Sequence, residues 1–410
     1  MHSGLNFMKS RIFNRLHLCN QPMSNILTSP APTMTQTFRI EAVGDRRALK
    51  QFIDFPHDLF AGDPNYVPEL FMAQEALLNR EKSPFFLHSS AEYFLARSPE
   101  GKILGRIAAI LNNNYNAFTG EKAGFFGFFD VVDDYSVAKS LLDTASDWLR
   151  QQGLDRVIGP ANFSTNETCG VLIENFEEPP FVLTTYNHPY YAEFLERYGF
   201  VKNVDLLSYE LFPEKLTPKM AELASRLEDR LRQNGITIRT IDMKHFDAEV
   251  EKFLPIYNAS WDKNMGFVPM TEAEVRQMGK DMKMALDPDF AFFAEKDGKT
   301  IGIALSIPNL NEIFIKIPRG RLFPTGVFKF LFGRKSIKTV RVIALGVLPE
   351  YRKTGLDVCF YVRNYQTALR KGIKRAEASW ILENNDLMNR ALLQIDAKVF
   401  RKHRIYEKAL

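Results

Sequence analysis

Residues 340–385 bring together groups that could hold an anion beside a polarised carbonyl. The apolar run 340–347 reads as a buried strand. Leu348-Pro-Glu-Tyr-Arg-Lys-Thr-Gly-Leu-Asp357 reads as a polar turn, and 358–372 as a helix, with Phe360, Val362, Tyr365 and Leu369 at helical spacing. A second strand, 376–382, ends at Glu383-Asn-Asn385. The first turn of a helix has unpaired N–H groups and the positive end of the helix dipole, so this turn suits phosphate oxygens. Gly355 admits a close backbone approach, and Arg352 and Lys353 add charge. Pro349 cannot donate to a strand ladder, so pairing stops near it. The freed N–H groups around Gly346 and Val347 are then available to polarise a carbonyl. An ordinary strand–helix connection with a surface Arg-Lys pair accounts for the same residue types.

Val347-x-Pro349-x-Tyr351-Arg352-x-x-Gly355-Leu356 resembles the acyl-CoA-binding motif of the GNAT N-acyltransferase superfamily, in which Arg/Gln-x-x-Gly-x-Gly/Ala cradles the CoA pyrophosphate. Asn385 matches the asparagine that opens the following helix in that family. More narrowly, Ser379-Trp-Ile-Leu-Glu-Asn-Asn385, Arg404-Ile-Tyr-Glu407 and Trp261-Asp-Lys-Asn-Met-Gly-Phe267 are similar to the bacterial ceramide synthase-like group, a likeness running over residues 38–410. The resemblance implies an α/β fold of tandem GNAT-like domains, each a mixed twisted sheet flanked by helices. It implies acyl-CoA, acetyl or long-chain, held by Leu345, Gly346, Val347, Arg352, Lys353, Thr354, Gly355, Leu356, Asp357 and Asn385. It further implies a long-chain, sphingoid-type amine as acceptor. Asp357 departs from the usual Gly or Ala and sets a carboxylate beside the pyrophosphate, and Asp396 stands where a glycine often precedes the last strand.

Acyl transfer from a thioester needs an unprotonated amine, hence a proton acceptor, and a donor for the departing thiolate. Glu383, closing the second strand, is the candidate acceptor, and Tyr406 the candidate donor. Each has a structural alternative: Glu383 as a cap for the helix after Asn385, Tyr406 as a core tyrosine. In the fold that the resemblance implies, the helices around Trp261 roof the acceptor site. Trp261 and Phe267 would be its apolar wall, and Asn258 and Asn264 its orienting hydrogen-bond partners. Helix packing ended by a Gly266 C-cap is the competing account.

The elements that must position these groups repeat. Gly101-Lys-Ile-Leu-Gly105 returns as Gly298-Lys-Thr-Ile-Gly302, Asn187 before one helix as Asn385 before another, and Tyr209-Glu210 as Tyr406-Glu407. The first half reads as strand 38–43, helix 46–55, hairpin 92–97 and 103–110, strand 124–132, helix 135–152, strand 156–159, a loop to Asn187, a helix to Tyr198 and strand 206–211. Matched order in both halves predicts a duplicated domain. The bounds are a flexible extension over 1–37, a first domain without a CoA motif at 38–213, a connecting helix within 214–235, and a second domain with the acyl-CoA site at 236–410. In the first domain the turn is Asp133-Asp-Tyr-Ser136, and two carboxylates there repel a pyrophosphate. The loop Gly159-Pro-Ala-Asn-Phe-Ser-Thr-Asn-Glu-Thr-Cys-Gly170 is too polar for a core and long enough to reach a neighbouring cleft. It reads either as acceptor-site lining, through Asn162 and Ser164, or as a solvated loop.

A length of 410 residues with 45% hydrophobic and 25% charged content predicts two globular domains with substantial cores. A net charge of +4 does not argue for nucleic acid. Three dispersed cysteines and seven histidines without ligand spacing predict neither disulfides nor a metal. No apolar run reaches the roughly 18–20 residues needed to span a bilayer, so the expected location is cytoplasmic with a peripheral membrane contact through 316–341. From Ile313 to Pro349, 37 residues hold no acid and eight bases: Lys316, Arg319, Arg321, Lys329, Arg334, Lys335, Lys338 and Arg341. Phe323, Phe328, Phe330 and Phe332 sit among them. Apolar residues flanked by cations suit an anionic membrane or a lid over a fatty chain, and a core-packed helix with solvated basic ends is the alternative. The competing functions are a small-molecule acetyltransferase and a non-catalytic binding protein of the same fold.

Overall fold

A computed structural model of the chain describes residues 38–410; the expected extension at 1–37 lies outside the described residues. The first half runs β1 (Arg39–Ala42), α1 (Arg46–Leu59), α2 (Phe71–Leu78), β2 (Ser90–Arg97), β3 (Ile103–Leu111), α3 (Asn113–Thr119), β4 (Ala123–Val131), α4 (Tyr135–Gln151), β5 (Arg156–Gly159), β6 (Val171–Glu174), α5 (Tyr190–Tyr198) and β7 (Val201–Leu211). The second runs α6 (Pro218–Gln233), β8 (Ile236–Thr240), α7 (Phe246–Trp261), α8 (Glu272–Lys283), β9 (Ala291–Lys296), β10 (Lys299–Pro308), α9 (Asn311–Phe314), α10 (Val327–Gly333), β11 (Thr339–Val347), α11 (Leu356–Arg370), β12 (Arg375–Leu382), α12 (Asp386–Gln394) and β13 (Lys398–Ala409).

The repeated glycines explain themselves once placed. Gly101 and Gly298 turn the β2–β3 and β9–β10 hairpins at φ +88° and +75°, where a side chain is strained. Gly105 and Gly302 let a helix lie directly on the sheet. A methyl at 105 would strike Leu141 of α4, and one at 302 would press on Leu356 and Phe360 of α11.

The strands form one mixed sheet in the order β1-β2-β3-β4-β5-β13-β7-β12-β11-β10-β9-β8, with β6 beside β13. From either edge inward, five strands of one half are followed by the last strand of the other. β13 pairs with β5, setting Tyr406 opposite Gly159. β7 pairs with β12, setting Tyr209 opposite Ala378. β7 and β13 pair antiparallel with each other from Lys398↔Glu210 to Glu407↔Val201. Segments 38–213 and 236–410 each carry one repeat of the element order, but neither holds a complete sheet of its own. The exchange also accounts for β6, which lies inside the expected loop 160–187: its partner is β13, more than two hundred residues away in sequence.

In both halves a parallel pair parts midway. β4 and β5 pair only through Phe125 and Ile158, and β11 and β12 only through Val342 and Ala378. Beyond those points the C-terminal ends of β4 and β11 have no strand partner on that side among the described residues.

Because Ile405 and Tyr406 are fully buried in the first half's cores, deleting 398–410 removes core side chains, each worth about 1.5–3 kcal/mol, and bares the edges of β5 and β7. Chain ending at residue 397 is expected to be insoluble or molten. The intact chain is expected to unfold in one transition, with circular dichroism and tryptophan fluorescence coinciding, since Trp148 reports on one half and Trp261 and Trp380 on the other. Two resolved transitions would contradict the exchange.

Candidate active site

The polar turn at 348–355 leads directly into α11. Gly355 is its N-cap at φ +86°, and no side chain caps it; the first turn therefore presents bare N–H donors. Lys353 is also in the left-handed region, at φ +67°, Thr354 Oγ1 donates to Tyr351 O at 2.8 Å, and exposed Arg352 donates from Nε to Val347 O at 3.3 Å, beside the end of β11. Gly355 is required twice over, by its φ and by Leu227 of α6, which lies 2.9 Å from where a Cβ would be. Exposed Asp357 lies in the first helical turn, and buried Leu356 anchors that turn in the core.

Leu345, Gly346 and Val347 lie on the part of β11 that β12 has left. A Cβ on Gly346 would meet Ser260 Oγ and the Trp261 ring at 2.8 Å, so glycine lets α7 rest on the strand here. Trp261 ends an aromatic ladder on α7, with Phe253–Tyr257 centroids 5.6 Å apart and Tyr257–Trp261 5.0 Å. Asn385 caps α12, accepting from Met388 N at 3.2 Å.

The equivalent place in the first half is closed. α4 is capped by Asp134, which accepts from Ser136 N at 2.8 Å and sets a carboxylate where an anion would sit. The gap between β4 and β5 is filled by the following loop: Ala161 N donates to Phe126 O at 2.7 Å, and Phe128 N to Asn162 Oδ1 at 2.7 Å. Asn162, expected in the acceptor site, is thus part of the closure of its own half.

The rest of that loop crosses to the other half. Thr165 Oγ1 donates to Gly266 O at 2.5 Å and Asn166 Nδ2 to Val268 O at 3.0 Å, while Tyr257 Oη donates to Asn166 Oδ1 at 2.5 Å. Phe267 packs on Tyr257 and on Phe118 of α3. Asn258 holds both the N–H and the carbonyl of Met270, and Asn264 closes the turn after α7 through its backbone. Of these predicted acceptor residues, Trp261 lies against the parted strand, Phe267 packs across the junction on Phe118, and Asn258 fixes Met270 within its own half.

Sequence reasoning passed over Glu167. It is the one acid between Gly159 and Gly170, in a loop judged too polar for a core, and that was the available signal. Buried Ser164 donates to its Oε2 at 2.6 Å. Burial pushes the carboxyl up to about 7 against the pull of that hydroxyl, with the Glu274 carboxylate adding to the rise. Glu274 itself is engaged by His88 and by its own helix cap.

The two candidates named for proton transfer are placed otherwise. Both carboxylate oxygens of Glu383 face β7: Lys202 Nζ donates to Oε2 at 2.7 Å and Asp205 N to Oε1 at 3.0 Å. Tyr406 lies in the core of the first half, its hydroxyl donating to Glu196 of α5 at 3.0 Å; burial and that carboxylate hold its pKa high. Strand exchange is the cause. Its counterpart beside β12 is Tyr209, which donates to Asn389 at 2.9 Å.

No family model matches the chain. The "Bacterial ceramide synthase" of Caulobacter vibrioides (strain NA1000 / CB15N) is 34% identical over 369 residues, 88% of this chain and 95% of that protein. "Protein YghO" of Escherichia coli (strain K12) is 33% identical over 372 residues, 89% and 94% of the two chains. Among solved structures, a tandem GNAT protein from the clavulanic acid biosynthesis pathway aligns with a TM-score of 0.55 at 12% identity, over 91% of this chain and 98% of that one. A GCN5-related N-acetyltransferase from Sphaerobacter thermophilus gives 0.50 at 12% identity, over 92% and 97%. Fold and relatives together define an enzyme of the N-acyltransferase class, built on a tandem GNAT fold. Within it, the chain belongs to the bacterial ceramide synthase-like group.

If the turn at 352–357 is the anion site, exchanging Arg352 and Lys353 together for Glu should weaken CoA binding by more than tenfold, about 1.4 kcal/mol. Both side chains are exposed, so the melting temperature should hold. Calorimetry should also count one CoA per chain, and saturation at two would mean that the first half is not closed.

Proposed function

We propose that the protein transfers a fatty acyl group from acyl-CoA to the nitrogen of a long-chain, sphingoid-type amine. The observation that carries this is the pairing of an uncapped helix N-terminus with a parted strand in one half, while the other half has both features closed. Support for the lipid substrates comes from the relative named a ceramide synthase, alike over nearly its whole length.

In this reading the pyrophosphate rests on the first-turn N–H groups of α11, with Arg352 and Lys353 beside it. The thioester lies along the free edge of β11, where N–H groups near Gly346 and Val347 stabilise the oxyanion. The amine nitrogen attacks the carbonyl carbon, its proton passes to Glu167, and collapse of the tetrahedral intermediate expels the thiolate, which takes that proton back from Glu167 through solvent. Glu167 must be ionised to accept. Rate should therefore fall about tenfold per pH unit below about 7. Glu167→Gln should lower kcat by ~10²–10⁴-fold and remove that limb, with Glu167→Asp restoring part of it. An unchanged pH profile would rule Glu167 out as the base.

The lipid part of the proposal draws on the segment between β10 and β11. Phe323, Phe328, Leu331 and Phe332 are exposed, Phe323 by 71% and Phe332 by 79%, while Phe330 is the buried residue of α10. Lys316, Lys329, Lys335 and Lys338 are exposed around them. The basic stretch is shorter than the sequence suggested. Arg341 is buried in the sheet, and Arg319 and Arg321 pair with Asp58 and Asp54 of α1. An apolar patch ringed by lysines suits the surface of an anionic bilayer. Among the described residues no helix is long and apolar enough to cross one. Binding to anionic vesicles should weaken with salt and be lost on changing Phe328, Leu331 and Phe332 together to Ser, with CoA affinity unchanged. A protein that ignores vesicles at low salt and uses acetyl-CoA best would instead be a small-molecule acetyltransferase.

A further inference from the structure

A departing thiolate needs a proton at sulfur, and Tyr406 lies in the core of the first half. Helix α11 carries a different phenol beside the free stretch of β11. A small recess between α11 and the sheet is lined by Val342 and Ala378, the last residues at which β11 and β12 pair, and by Tyr361. Phe360, next to Tyr361 in the chain, reaches toward Gly302, the partner of Val347. Tyr361 therefore stands level with residues 342–347, where β11 has lost its neighbour.

The hydroxyl of Tyr361 points across the opening. Oη donates to Met388 Sδ at 3.0 Å, in the first turn of α12, the helix that Asn385 caps. Helix α11 follows one of the parted strands and α12 the other, so the half-buried phenol bridges the two helices. A thioether is a weak acceptor; it holds the phenol without committing its proton. Tyr209 and Tyr257, by contrast, donate to amide oxygens of Asn389 and Asn166. Burial, with the Asp357 carboxylate one turn earlier and Tyr365 one turn later, holds the Tyr361 pKa well above the usual phenol value. The proton thus stays on the phenol through the neutral range.

We propose that Tyr361 is the catalytic residue that protonates the leaving sulfur. As the tetrahedral intermediate collapses, the C–S bond breaks, its electron pair goes to sulfur, and sulfur takes the phenol proton. The phenolate is refilled by the proton that Glu167 took from the amine, carried through solvent. The inference rests on the acyl-transfer reading and names the last carrier of that proton. It also separates acid from base. Gly346 faces α7, whose Tyr257 holds the loop of Glu167, while Val347 packs with Leu356 and Phe360 on the α11 side. Base and acid stand on opposite faces of the sheet, with the free edge of β11 between them.

The test uses the full chain with palmitoyl-CoA and sphinganine. Tyr361→Phe removes one oxygen and should lower kcat about a hundredfold, with KM, CoA affinity by calorimetry and melting temperature held. Replacing Tyr361 by 3,5-difluorotyrosine keeps the shape and lowers the phenol pKa. That variant should retain more turnover than Tyr361→Phe and add a basic limb to the rate–pH profile that wild type lacks. A phenol with a merely structural role would cost melting temperature in Tyr361→Phe and gain no basic limb on fluorination. Turnover of Tyr361→Phe within about threefold of wild type, or a profile unmoved by the fluorines, would overturn the assignment while leaving the transferase reading in place. If wild type acylates no amine, that reading falls and the assignment of Tyr361 falls with it.

Discussion

The antiparallel pairing of β7 with β13 is the constraint on which the rest of the molecule depends. Each strand sits beside the other half's fifth strand, so neither sheet is finished until both halves are present. Side chains lock the exchange. Arg404 of β13 forms a bidentate pair with Asp205 of β7, at 2.7 and 3.1 Å, and Lys202 ties Asp205 to Glu383 at the end of β12. Deeper in, Arg341 of β11 and Arg401 of β13 are fully buried and reach into the first half. Arg341 donates to the carbonyls of Val182 and Leu183, and Arg401 to that of Glu178. Burial holds Arg341 down to about 10, where it is still charged at neutral pH. A buried cation is costly without hydrogen bonds; the carbonyls of Glu178, Val182 and Leu183 supply them from the first half, although Arg401 Nε has no partner among the described residues.

Two halves of like topology differ in what fills one gap. Both have a helix N-terminus next to a parting pair of strands. In the first half a carboxylate caps the helix and residues 160–162 close the gap; in the second the cap is a glycine and the strand edge stays bare. The difference is made by a few short-range contacts. It could therefore be anticipated at Asp133-Asp134 and at Arg352-Lys353-Thr354-Gly355, where local residue types decide the electrostatics.

Features set by neighbours distant in sequence were not legible in the same way. The hairpins, the parted strands and the bare helix end follow from glycines, a proline and apolar spacing within a few residues. Tyr406 reads as a strand residue from any periodicity, but periodicity does not say which strand lies next to it, and the exchange moves it to the other core. Arg341 looks like one cation among eight until the sheet closes over it. Glu167 looks like a loop acid because what raises its pKa is burial in the folded chain together with the Glu274 carboxylate of the other half. In each case the missing information is a contact made across the two halves.

That dependence reaches the loop that carries Glu167. Its base is stapled: Ala161 bridges Cys169, and Gly170 N donates to Pro160 O at 2.8 Å. Gly170, at φ +81°, presses its backbone on His403 of β13, 3.0 Å from where a Cβ would stand. His403 is in turn held by Trp380 of β12, whose indole N–H donates to Nδ1 at 3.2 Å, and by Thr185 O, which accepts from Nε2 at 3.1 Å. Burial pushes that imidazole down to about 3, so it stays neutral and keeps the single tautomer these two bonds require. The exchanged strand therefore seats the histidine, the histidine seats the base of the loop, and the stapled base projects residues 164–168 across the junction. Closing the first half's own gap with the front of this loop leaves its tip to bond the second half at Gly266, Val268 and Tyr257.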